Sequence, residues 1–67
     1  MEPFAQCLVD LLEQYGWEIE QELKDGVRLR SPSDDDSIMV SGKIGMHKDV
    51  AKKLDLDAED VLSRCLK

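Results

Sequence analysis

At Gly16 the hydrophobic period of this chain changes. Upstream, Phe4, Leu8, Leu11, Leu12 and Tyr15 recur at the three-four spacing of one helical face. Downstream, Trp17, Ile19, Gln21 and Leu23 alternate with Glu18, Glu20, Glu22 and Lys24. Val27, Leu29 and Ser31 alternate with Arg28 and Arg30 in the same way, as in strands with one buried face. The spacing predicts a helix from Pro3 to Tyr15, with Pro3 at the first helical position and Gly16 as the left-handed residue that ends it. A hairpin follows. A three-residue Lys24-Asp25-Gly26 loop with a left-handed Gly26 keeps the apolar face whole and sets Leu23 opposite Val27, Glu22 opposite Arg28 and Glu20 opposite Arg30.

The rest of the chain completes a small α+β domain. Ser31 to Ser37 reads as a solvated turn. Ile38-Met39-Val40 is a third strand, ending near Gly42 or continuing to Ile44. Val50, Ala51 and Leu54 share one face of a short helix from about Asp49 to Leu54. Asp57 is placed to cap a last helix, Ala58 to Leu66, that buries Val61, Leu62, Cys65 and Leu66, with an acidic first turn. The expected architecture is one domain over residues 1–67, a three-stranded antiparallel meander between helices in the order αβββαα.

Composition restricts the function classes. With 67 residues the chain hides only about 60% of its unfolded surface, too little core for a deep pocket or a large cofactor. Fifteen acids against nine bases give a formal net charge of −6, the opposite of a generic nucleic-acid binder. The charge is uneven: residues 1–27 carry −6 and residues 28–54 carry +2. No apolar run approaches the ~20 residues of a membrane span, and the opening Met1-Glu2-Pro3-Phe4 lacks the basic start of a signal peptide. A cytoplasmic location and no membrane contact are the expectations. Cys7 and Cys65 then read as two buried structural thiols.

Chemistry-bearing motifs are sparse. Val50-Ala51-x-x-Leu54-x-Leu56 with Val61 has helix-turn-helix spacing. A reading helix that begins Asp57-Ala58-Glu59-Asp60 would set carboxylates against phosphate, so two packed helices are the better account. His47 is the single histidine, the residue type most used for proton transfer, but general acid–base work needs a positioned partner and none is evident. No serine has a Gly-x-Ser-x-Gly context, and Gly42-Lys43-Ile44-Gly45 is too short for a phosphate loop. Asp34-Asp35-Asp36 lacks the alternating ligand spacing of a calcium loop. Neither a metal nor a cofactor is expected, and the chain is not expected to be an enzyme.

One whole-chain layout is nevertheless suggestive. Leu11-Leu12-Glu13-Gln14-Tyr15-Gly16-Trp17 at the end of the first helix, a meander, His47-Lys48 before a helix, and Leu54-Asp55-Leu56-Asp57-Ala58-Glu59-Asp60-Val61-Leu62 together resemble HicA-type toxins, the YcfA-like family. The resemblance implies a fold similar to the double-stranded-RNA-binding domain, cleavage of mRNA, and a HicB-type antitoxin as partner. The family carries Gly-Ser-His at the start of its second strand, the histidine being catalytic. Here Gly26-Val27-Arg28 occupies that place. A guanidinium that stays charged cannot shuttle protons, so the resemblance implies a ribonuclease activity that has been lost.

Two functional expectations follow. In the first, the chain is a non-enzymatic acidic protein that binds and inhibits or modulates a protein partner with a basic surface. Its docking face is Glu18, Glu20 and Glu22 with Asp10 and Glu13, and charge complementarity sets on-rate and specificity. Small phage inhibitors of bacterial defence, anti-CRISPR proteins among them, share this size and charge. In the second, the chain is a HicA-like RNA-binding protein or ribonuclease that sets Arg28, Arg30, Lys43, His47, Lys48 and Lys52 against an A-form backbone. The net charge disfavours it. A second copy of the chain is a further candidate partner, paired along the lightly charged edge Ile38–Ser41.

Overall fold

The computed structural model describes residues 2–33 and 35–66. Its elements are α1 (Pro3–Gln14), β1 (Glu18–Leu23), β2 (Gly26–Arg30), β3 (Ser37–Ser41), α2 (Met46–Leu54) and α3 (Ala58–Cys65). The strands form one antiparallel sheet in the order β1-β2-β3. The fold is therefore the expected αβββαα domain. Val27, Leu29, Ile38 and Val40 are buried from the sheet side, and Leu8, Leu12, Val50 and Val61 from the helices. α1 touches all three strands, while α2 and α3 pack beside it. Each such large aliphatic side chain contributes about 1.5–3 kcal/mol through burial.

Two helices end by the same device. Gly16 has φ +92°, and the Trp17 and Gly16 N–H groups donate to the Leu12 and Glu13 carbonyls at 3.1 and 3.0 Å. At the end of α2, Leu56 N–H donates to the Ala51 carbonyl at 2.8 Å and Asp55 N–H to that of Lys52 at 3.3 Å. Both patterns satisfy carbonyls that the helix leaves free. The left-handed residue after α2 is Asp55, at φ 56°. Left-handed backbone costs a side-chain-bearing residue about 1–2 kcal/mol that glycine avoids. Asp55→Gly is expected to raise the melting temperature by roughly 4–8 °C, read by thermal denaturation; an unchanged or lower value contradicts this account of the helix end.

Several expectations are corrected. α2 begins at Met46 rather than near Asp49, because Met46 and His47 are themselves drawn against the core. Tyr15 follows α1 and is exposed, and Leu66 lies past α3 and is exposed. The hairpin turn has two residues, Lys24-Asp25, and Leu23 pairs with Gly26, Glu22 with Val27 and Gln21 with Arg28. The register shifts between Ile19 and Gln21, where Glu20 is the extra residue of a bulge. Gly26 does not take a positive φ; it is needed because a Cβ there would lie 2.4 Å from the Val40 carbonyl oxygen. Asp57 does what its position predicts, its Oδ1 accepting from Glu59 N–H at 2.9 Å.

The cysteines are not free thiols. Cys7 of α1 and Cys65 of α3 form a disulfide, with Cα atoms 5.6 Å apart at a sequence separation of 58. The geometry follows from the packing: α3 lies against α1, and both cysteines stand half-buried at that contact. A bond between near-terminal helices closes nearly the whole chain into one loop. Such bonds persist in oxidising surroundings, and reading the pair as thiols had rested on an assumed reducing compartment. No helix among the described residues is long and apolar enough to cross a membrane.

Candidate docking surface

β1 is the most exposed element of the molecule. All six of its residues are exposed, although its sequence alternates like a half-buried strand. The bulge at Glu20 explains this. Cross-strand partners share a face, so Ile19 opposite Leu29 lies on the helical side, whereas Gln21 opposite Arg28 and Leu23 opposite Gly26 lie on the open side. The expected apolar row Trp17, Ile19, Gln21, Leu23 is thereby split. Only Trp17 is buried, while Ile19 is 44% and Leu23 37% exposed.

The same flip divides the acidic residues. Glu18 sits opposite Arg30 on the open side, and Glu20 accepts a 2.8 Å hydrogen bond from Arg30 Nη2 there. That contact delivers the expected Glu20–Arg30 pair, although the backbone register places Glu18 opposite Arg30. Glu22, opposite Val27, belongs to the helical side. Asp10 and Glu13 are exposed on α1, and Asp10 accepts from Gln6 Nε2 at 2.9 Å. The five carboxylates expected to form one face therefore do not share one: Glu18 and Glu20 lie on the open side of the sheet, Glu22 on the helical side, and Asp10 on α1 beside Cys7 and Arg64. Among the described residues neither Glu18 nor Glu22 has an ion-pair partner.

The basic residues are divided more completely. Arg28 and Arg30 alternate with the buried Val27 and Leu29, so they occupy the open face of the sheet. Lys48 and Lys52 lie one turn apart on the exposed side of α2, and Lys43 is exposed on the loop before it. His47 is 7% exposed, with Nδ1 2.5 Å from the Ile44 carbonyl oxygen. Protonated at that nitrogen, the ring donates to its own loop and ties the β3–α2 connection to the first turn of α2. The RNA-facing set named from the sequence does not converge on one surface.

The Asp34-Asp35-Asp36 run includes Asp34, which lies outside the described residues. Lys53 pairs with Asp36 and holds its carboxyl below the usual carboxylate range. With the folded pKa depressed, this pair supports the fold above the ordinary carboxylate pKa and is lost as the pH falls below it. No cluster of three or more potential metal ligands occurs among the described residues.

The two sheet edges differ in a way the sequence did not disclose. On β3, the candidate edge for a second copy, Ser37 N–H donates to Asp36 Oδ1 at 3.0 Å and Ser41 N–H to Met46 Sδ at 3.1 Å. An aspartate just before the strand and a methionine five residues past its end are the signals that escaped notice. Comparison with protein-family models, with curated proteins and with solved structures returns no match for the chain.

Proposed function

We propose that this chain is a small, non-enzymatic protein-binding module that occupies a basic surface of a partner protein and thereby inhibits or modulates it. One observation carries the reading: β1 stands exposed along its full length at the sheet edge, where Glu18 and Glu22, unpaired among the described residues, stand beside the exposed apolar side chains Ile19 and Leu23. Carboxylates steer the encounter, and partly exposed aliphatic groups supply area to bury. The analogy to anti-CRISPR-type inhibitors rests on size and charge. The HicA-like reading is weaker, because Arg30 is already engaged by Glu20 and the lysines lie on another side of the domain.

The test is a capture experiment on host extract with the wild type and with Glu18→Lys/Glu20→Lys/Glu22→Lys. The wild type is expected to retain a basic protein at an ionic strength of about 0.1 M. It is expected to lose that protein near 1 M, where the screening length falls from about 10 to about 3 Å. The triple variant, checked for folding by circular dichroism, is expected to retain none. A partner held equally by both proteins, or indifferent to salt, contradicts the proposal.

A further inference from the structure

The geometry points to the form of that partner: it contributes an extended basic segment that adds to the sheet as a fourth strand beside β1, an inference that rests on the docking function proposed above. Ladder parity carries it. Ser31 N–H donates to the Asp36 carbonyl at 2.9 Å, which fixes the alternation along β2 and β3. In an antiparallel ladder, opposed pairs alternate between bonding each other and turning their main-chain groups away. Leu29 with Ile38 and Val27 with Val40 therefore bond across β2–β3, while Arg28, Arg30 and Gly26 turn toward β1. Their partners Gln21, Glu18 and Leu23 turn inward to meet them. Ile19 and Glu22 are left with N–H and C=O groups directed outward, and no helix or loop hydrogen bond reaches them among the described residues.

On β3 the outward N–H groups of Ser37 and Ser41 are already engaged, which leaves that of Met39 as the open donor there among the described residues, whereas on β1 both Ile19 and Glu22 are open. An added strand satisfies such groups through main-chain bonds and takes its specificity from alternate side chains. Here the carboxylates open to it are Glu18 and Glu22, with Glu20 held by Arg30, and the exposed apolar side chains are Ile19 and Leu23; together these select lysine or arginine interleaved with aliphatic residues. A second copy of β1 is the poorer occupant, because it brings three more glutamates and no basic side chain to an edge that is already acidic.

The probe is a nine-residue peptide alternating lysine with valine, titrated into the isotope-labelled, disulfide-intact domain. Two controls carry the same side chains, with N-methyl groups on either the valine or the lysine amides. The parent peptide is expected to bind and to slow amide exchange at Ile19 and Glu22. One N-methylated control is expected to bind at least tenfold more weakly, while the other, blocked on its outward edge, keeps its affinity. Equal binding of all three without amide protection overturns strand addition and leaves charge-driven docking standing. No binding by any of them overturns strand addition as well, whatever the capture experiment returns.

Discussion

A Cys7→Ser/Cys65→Ser variant is expected to melt roughly 15–30 °C below the wild type. Cross-linking residues so far apart in sequence removes loop entropy from the unfolded chain worth about 4 kcal/mol, and in a domain this small each kcal/mol moves the midpoint by about 4–8 °C. The structure adds a local reason. α3 places a single side chain, Val61, fully in the core, and its contacts are with α2 and α1 alone. Without the bond to α1, the α3 helix is the first element expected to loosen. Reductant added to the wild type is expected to reproduce the loss, and the double variant is expected to be insensitive to it. Melting curves that coincide with and without reductant would show that the bond does not hold the fold.

The second large effect lies at the hairpin. Gly26→Ala is expected to destabilise the domain by about 1–3 kcal/mol, the usual cost of forcing atoms into filled space. The new Cβ meets the main-chain oxygen of Val40 at 2.4 Å, and a backbone group in a paired strand cannot swing aside as a side chain tip would. Gly26→Asn separates this account from the turn reading. Asparagine tolerates left-handed backbone, so it would be accepted if Gly26 served a left-handed turn. Here it is expected to fail at least as badly as alanine in chemical denaturation. A stable asparagine variant would mean that the close approach to β3 is not what requires glycine.

Element order was legible because it depends on local signals. The three-four spacing of Leu8, Leu11 and Leu12, the Gly16 terminator and the Asp57 cap each act within a few residues, and each does in the structure what its position predicts. Alternation through Glu18–Leu23 misled because it records what a strand offers to a core, not whether anything covers it. The bulge at Glu20 then reversed the alternation, and a bulge depends on the competition between turn geometry and cross-strand pairing, which no single position displays. The left-handed Asp55 was hidden for a similar reason, since the helix termination that requires it outweighs the residue's own preference. The disulfide depends on a contact between the two ends of the chain, and spacing alone does not bring Cys7 to Cys65. For the candidate site, the exposed glutamates were visible in the sequence. Their distribution over both sides of the sheet was not, because it follows from the same bulge.

The central claim is that β1 is the element this protein presents to its partner. The most direct measurement is an amide shift map of the labelled protein titrated with the captured partner. The account predicts that the largest changes fall on Glu18–Leu23, with Ile19 and Glu22 foremost. Changes centred instead on Lys48 and Lys52 of α2, with β1 undisturbed, would contradict it.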